Sequence, residues 1–359
     1  MSWLARAERL RAGTPECVLQ LLAWAYCCVM QIRNTLYDWG LLPSFESRLC
    51  VLSVGNLTAG GNAKTPMCLY VTRLLKSWGL APVILSRGYG GTEAGPLLVS
   101  EKDLSNRVGD EPLLLTRCGA RVVVSKDRVA GAKWIESQGL GNVIILDDGF
   151  QHRRLHRNLN IVMAKLGNEK TGDSLSSPRL LPWGLFRELP LLALKRADVL
   201  VVVNRELQHE HLTLPQSLSS SIPPSLFVTQ AGYKSTGVQQ AGSKTLLLPP
   251  RQVVALSAIA HPEAFERSLA ALGFSCLKSY YFPDHHHLRV ADIEKISAEF
   301  GPEMPVVCTE KDLVKFSSIH PQLYVLPVEL CLFPEDSFID YLKQRLSGVL
   351  ASVRENPKQ

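Results

Sequence analysis

At 359 residues, 46% hydrophobic and 20% charged, the chain is long enough for two domains with cores of their own and too apolar for extensive disorder. A formal charge of +6, carried by scattered rather than blocked arginines, points away from a nucleic-acid partner and suits an anionic substrate or membrane surface at least as well. Nine cysteines, an odd number with no CxxC pair, argue against a disulfide framework or a zinc site and for a reducing compartment.

Residues 1–48 form a region apart. Arg6, Arg9 and Arg11 precede the apolar run CVLQLLAWAYCCVMQI at 17–32, which at helical rise covers about 24 Å, short of the ~30 Å hydrocarbon core. Spanning is not expected, and no small-x-small cleavage pattern supports a signal peptide. The expectation is a helix lying in a membrane interface, with Trp3, Trp24, Tyr26, Tyr37 and Trp39 as headgroup-level anchors and the arginines meeting anionic lipid. A buried helix capping the first domain is the alternative.

Residues 53–66, SVGNLTAGGNAKTP, follow the apolar run 49–54 and open onto Met67, Leu69, Val71, Leu74 and Leu75 at helical spacing. Strand, Gly-rich loop, helix is the order of a phosphate-binding loop, because a helix start presents unpaired N–H groups and a favourable dipole to an anion. Lys64 would reach the terminal phosphates and Thr65 carries the hydroxyl expected on magnesium. The match to GxxxxGK[ST] is imperfect, since Thr58 and Ala63 stand at the two glycine positions while Gly55, Gly60 and Gly61 supply flexibility. Nucleotide contacts are expected from Thr58, Gly60, Gly61, Asn62, Ala63, Lys64 and Thr65, with an ordinary Gly-rich turn as the bland reading.

Further strands are expected at 82–85, ending in SRGYGG, at 121–125, and at 142–146, where NVIIL stops on Asp147 and Asp148. Continuous apolar strands separated by helices indicate a parallel sheet covered on both faces, with ligands at the carboxyl ends of its strands. The pattern restarts at 159 with LNIVMA and VLVVVN, then at 226–229, 253–256 and 306–308, with a helix at 262–272 and a polar, turn-rich connection at 230–250. The expected organisation is an interface region at 1–48, a phosphate-loop α/β domain at 49–155, a second, smaller α/β domain at 156–332, and a C-terminal helix at 333–359 packing back on the first.

Asp147 and Asp148, at a strand end opposite the loop, suit a magnesium site, although such a pair is by itself commonly a turn. Asp110 and Glu111, in VGDEPLLL, have the local look of an N-cap with Pro112 in the first turn; the functional alternative is a carboxylate accepting a proton from an attacking hydroxyl. His261, in AIAHPEAF, has the look of a satisfied loop residue. The run DHHH at 284–287 invites a metal, but consecutive histidines rarely converge on one ion without a separated third ligand. Arg153, Arg154, His156 and Arg157, and again Arg179, Arg187, Lys195 and Arg196, could flank a cleft and take a phosphorylated substrate, or form a solvated face.

SVGNLTAGGNAKTP, LSRGYGG, GDEPLLL, DDGFQHRRL, LLPWGLFRE, LKRADVLVVVN, AIAHPEAF, FPDHH and TEKDLVK, in this order, resemble the tetraacyldisaccharide 4'-kinase family. The resemblance implies two α/β domains joined by a hinge-like linker, and transfer of the γ-phosphate of ATP to the 4'-hydroxyl of a tetraacylated glucosamine disaccharide 1-phosphate, making lipid IVA at the cytoplasmic face of the bacterial inner membrane. It implies that Lys64 and Thr65 hold ATP and Mg2+, that Asp147 and Asp148 are the acidic pair, and that Asp110 is the general base with His261 as its partner. Arg87, Gln151 and Arg187 are expected on the substrate side, with a lipid substrate and a membrane surface as partners and neither a nucleic acid nor an obligate protein partner. Most members carry glycine where Ala63 stands. A nucleotide-dependent regulatory or chaperone protein with slow hydrolysis is the rival from another class.

Overall fold

The structure, a computed structural model, describes residues 11, 13–60, 63–165, 174–175, 177–204, 222–235, 237–243, 245–249, 251–259, 262–282, 288–316, 318–348 and 351. Helix α1 (Glu16–Asp38) leads into β1 (Cys50–Asn56), α2 (Lys64–Ser77), β2 (Pro82–Ser86) and β3 (Leu97–Leu98). Next come α3 (Ser105–Val108), α4 (Asp110–Arg117), β4 (Arg121–Val124), α5 (Arg128–Ser137) and β5 (Val143–Asp147). The chain continues through β6 (Leu159–Ala164), α6 (Pro190–Leu194), β7 (Val199–Val203), β8 (Phe227–Lys234), β9 (Val238–Gln240), β10 (Leu246–Leu247) and β11 (Arg251–Ser257). It ends with α7 (Pro262–Ala271), β12 (Phe274–Tyr281), α8 (Val290–Phe300), β13 (Val306–Thr309), α9 (Glu310–Leu313), β14 (Leu323–Leu326), β15 (Glu329–Phe333) and α10 (Glu335–Arg345).

Among the described residues the strands form two sheets. The larger has the order β15-β8-β7-β6-β1-β5-β2-β4-β3 and is parallel except where β15 meets β8 and β3 meets β4. Its inner strands, VIILD in β5 and VLVVV in β7, are buried at every position, as strands covered on both faces must be. Alternate residues serve the two faces. Leu52, Val54, Ile84 and Ile145 pack with Met67 and Val71 of α2, Leu113 of α4 and Phe338 and Leu342 of α10. Val51, Val83, Leu85 and Ile144 pack with Ala132 and Ile135 of α5.

The smaller sheet runs β10-β9-β14-β13-β11-β12, with Ile293 and Ile296 of α8 on one face and Phe265 and Leu269 of α7 on the other. The chain enters it after β8 and returns through β15. The expected boundary at 155/156 therefore falls inside the larger sheet, where β6 pairs directly with β1. An apolar strand declares that it is buried, not which sheet it joins. The expected connection at 230–250 likewise contains the end of β8 and all of β9 and β10, with Val238 and Leu247 in the second core.

Helix α1 divides its residues between two environments. Ala23 with Tyr26 and Cys27 packs on Leu57, Phe150, Val162 and Phe186, over the second half of the larger sheet. Leu21, Trp24, Val29 and Ile32 lie outward at 61–67% exposure. No helix among the described residues is long and apolar enough to cross a membrane.

Several expected lipid contacts are instead internal ones. Tyr26 Oη donates to Arg187 O at 2.8 Å, and the guanidinium groups of Arg33 and Arg153 lie 5.4 and 5.0 Å from the centroid of the Tyr37 ring. Arg11 donates to Pro182 O at 2.8 Å and to Gly184 O. Close-range acceptors and aromatic faces outcompete lipid for these side chains. Trp39 is 72% exposed, and Trp3, Arg6 and Arg9 lie outside the described residues.

Candidate active site

The carboxyl ends of β2, β5 and β1 lie side by side, with Val54 in register with Asp147 and Leu85 with Leu146. From β1 the chain turns into α2, whose first residue is Lys64. The turn is completed by Ala63 in the left-handed region, φ 59 and ψ 15, and Ala63 offers no side-chain acceptor to the opening N–H groups. A helix start left uncapped by its own side chain is suited to an anion.

A second segment braces this loop. Ala59 N donates to Leu185 O and Arg187 N to Leu57 O, both at 2.8 Å, so the segment 185–187, leaving the turn of LLPWGLFRE, lies as a single antiparallel bridge against Thr58.

Charge is concentrated at this edge. Lys64 Nζ stands 3.6 Å from Asp148 Oδ1, and Arg187 donates to the same oxygen at 2.9 Å. Burial acts to raise the Asp148 pKa, but Lys64, Arg187 and Arg128 outweigh it and hold the carboxyl below its usual range. Asp147, 4% exposed, accepts from Ser86 Oγ at 2.9 Å. Burial, followed by the charges of Glu111 and Asp148, pushes Asp147 up to about 6 against the pull of Lys64. The environments of two adjacent carboxylates thus push them in opposite directions.

Asp110 opens α4, and the cap residue is Gly109 rather than Asp110 itself. Gly109 sits at φ 96, where a Cβ would lie 2.6 Å from Tyr89 O, and a Cβ on Gly91 would lie 2.5 Å from Arg107 O. Only glycines let the RGYGG loop rest on the start of α4. Half-buried Glu111, beside Asp110 at the start of α4, is close enough for its charge to act on Asp147, and Arg87 is exposed just after β2. Gln151 donates from Nε2 to Asn56 O at 2.9 Å and accepts from Arg187 at 3.2 Å.

Arg128, which sequence reasoning passed over, also belongs here. Asp127 caps α5 through Val129 N and Ala130 N, and the next residue, Arg128, is 7% exposed and donates to Asp147 O at 3.1 Å. Its Nε has no partner among the described residues. The available signal was its place at the start of the helix that follows β4, beyond the carboxyl end of that strand.

Most of the other basic residues are engaged elsewhere. Arg153 pairs with Asp38 at 2.7 Å, Arg196 pairs with Glu188 at 2.7 Å, and Arg157 donates to Asn160, His152 and Leu155. Of the two groups, Arg187 is the one paired with Asp148. Gly61, Asn62, His261 and the DHHH run lie outside the described residues.

No ready-made cage of three or more His, Cys, Asp or Glu exists among the described residues. Magnesium bound together with substrate phosphates needs only one or two protein carboxylates, so the lack of such a cage does not argue against it.

Residues 15–347 match the family described as tetraacyldisaccharide-1-P 4'-kinase. A tetraacyldisaccharide 4'-kinase of Syntrophus aciditrophicus is 34% identical, covering 89% of this chain and 90% of its own length. One from Dechloromonas aromatica is also 34% identical, covering 96% and 98%. Among solved structures, LpxK from Aquifex aeolicus in complex with ATP is similar at TM-score 0.75 and 30% identity, over 92% of this chain and 99% of that one. With a phosphate loop at the switch point of a parallel sheet and relatives spanning almost its whole length, the chain belongs to the tetraacyldisaccharide-1-P 4'-kinase family.

Proposed function

We propose that this cleft transfers the γ-phosphate of ATP in line to the 4'-hydroxyl of tetraacyldisaccharide 1-phosphate, giving lipid IVA for lipid A biosynthesis. The observation that carries the reading is the placement of Lys64 at the first residue of α2, 3.6 Å from Asp148 and across the β1–β5 pair from the buried Asp147. Residues 58–65 cradle the phosphates, and the Lys64 ammonium neutralises charge on the β and γ oxygens. Magnesium, held by Thr65 with Asp147 and Asp148, supplies further charge neutralisation when bound.

Asp110 takes the proton of the attacking hydroxyl, with His261 as its partner, and Arg87, Gln151 and Arg187 serve the acceptor side. The outward apolar stripe of α1 supports attachment at the cytoplasmic face of the inner membrane, where the acceptor's acyl chains stay in the bilayer.

The test follows labelled γ-phosphate from ATP with purified protein, magnesium and detergent micelles, with and without the tetraacyldisaccharide 1-phosphate. Label on the lipid, lost at least about a hundredfold in Asp110→Ala with the KM for ATP little changed, is the expected result. ATP hydrolysis indifferent to the lipid, with no label transferred, would replace this reading with the nucleotide-switch one.

A further inference from the structure

A buried carboxylate behind the cleft has no place in the mechanism above. Glu188 ends LLPWGLFRE, is 1% exposed, and stands next to Arg187. Three donors from three parts of the chain converge on it. Asn34 of α1 donates from Nδ2 to Oε2 at 3.0 Å, Arg196 donates to Oε2 at 2.7 Å, and Gln151 donates from Nε2 to Oε1 at 3.1 Å.

The third bond has a directional consequence. The Gln151 amide also donates to Asn56 O, so both acceptors on that side require its NH2 to face them. Its Oε1 is thereby left to face Arg187, which donates to it at 3.2 Å and to Asp148 at 2.9 Å. A glutamine turned the other way would set NH2 against guanidinium. The helix carrying Asn34 makes two more ties to the same segments, Tyr26 Oη to Arg187 O at 2.8 Å and Arg33 to Gln151 O at 2.6 Å.

We infer that Glu188 is a positioning residue for phosphoryl transfer, which holds Arg187 on Asp148 by fixing the Gln151 amide and ties that arrangement to α1 through Asn34. The inference rests on the reading of Asp148 and Arg187 as parts of the transfer site. On this view the inner face of the helix whose other side is apolar and exposed helps to set the geometry of the phosphate cleft.

The experiment is a double-mutant cycle in single-turnover label transfer, using full-length protein in the same micelles with thermal melts alongside. Glu188→Gln is expected to lower the transfer rate at least tenfold with the KM for ATP within about threefold, since the phosphate loop itself is untouched. Arg187→Ala is expected to lower it by more. Adding Glu188→Gln to Arg187→Ala is expected to change the rate less than about twofold, because the residue through which Glu188 acts is gone.

A full multiplicative loss in the double variant, or a wild-type rate in Glu188→Gln alone, would overturn the inference and leave the site reading standing. A wild-type rate in Arg187→Ala would sink the assignment of Arg187, and the inference with it. Should Glu188→Gln fail to fold, Asn34→Ala takes its place in the cycle, with a smaller loss and the same non-additivity expected.

Discussion

Two buried charge clusters, one in each sheet region, solve the same problem in opposite ways. In the smaller one, Asp312 accepts from Lys315 Nζ at 2.8 Å, Thr309 Oγ1 at 2.7 Å and Ala258 N at 3.1 Å, while Lys315 also donates to Ala258 O at 3.1 Å. Both oxygens of the carboxylate are used, and the ion pair clamps both backbone groups of one residue. At the phosphate cleft, Lys64 stands off Asp148 at 3.6 Å, and Arg128 Nε and Asn56 Oδ1 are buried without partners among the described residues. A closed network stabilises the fold, whereas an open one is suited to a ligand that completes it.

The sharpest way to break this comparison is the same substitution on both sides. Asp312→Asn leaves the Lys315 charge uncompensated and is expected to remove about 3–5 kcal/mol of stability, read from denaturant melts. Asp148→Asn is expected to shift stability by less than about 1 kcal/mol while lowering label transfer about 10²- to 10³-fold. Equal stability losses would show that the two clusters are not different in kind.

A smaller effect tests whether strain from crowded positive charge extends behind the cleft. His152 is held down to about 4 by burial first, then by Arg128, Arg154 and Arg157, against a weaker pull from Asp127. Its folded value lies below the unfolded value of about 6.5, so the stability of the neutral imidazole is complete above that pH and is lost as pH falls from about 6.5 towards 4. With partial solvent screening, His152→Gln is expected to remove about 1–2 kcal/mol of that pH dependence, measured as the difference between melts at pH 7 and pH 5. An unchanged difference would place the pH sensitivity elsewhere.

The smallest effect concerns the loop. Ala63 in a left-handed conformation carries about 1 kcal/mol of strain that glycine would not. Ala63→Gly also loses a buried methyl and gains unfolded-chain entropy, which together offset the relieved strain, so a stability change within about 0.5 kcal/mol of zero is expected, with the KM for ATP within twofold. A larger loss of stability would mean that the packing of this methyl outweighs the strain.

What the sequence revealed about the cleft follows from how local each signal was. Asp147 and Asp148 follow the unbroken VIIL run of β5, and the Gly-rich loop lies between an apolar run and a helical one, so the position of both at strand ends was legible. The attachment of β6, β7 and β8 to the first sheet was not, because pairing partners leave no mark on an apolar run. Asp110 read as a cap because its site depends on two glycines pressing the RGYGG loop onto Gly109, a contact between segments. Tyr26 read as a lipid anchor because an interfacial aromatic and one donating to a distant carbonyl have the same composition. Arg128 and Glu188 were missed for the same reason: each draws its meaning from partners at least eight residues away.

The pairing of β8 with β15 has an architectural consequence. Lys234, where the chain leaves the larger sheet, lies opposite Glu329, where it returns. The whole six-stranded unit is therefore spliced into the loop of an antiparallel hairpin, and its two ends are as close as those of a simple turn. Such a graft is covalently joined at one point of the sheet's edge, and Val314, just after α9, secures it a second time by packing in the same core as Leu113 and Leu115 of α4.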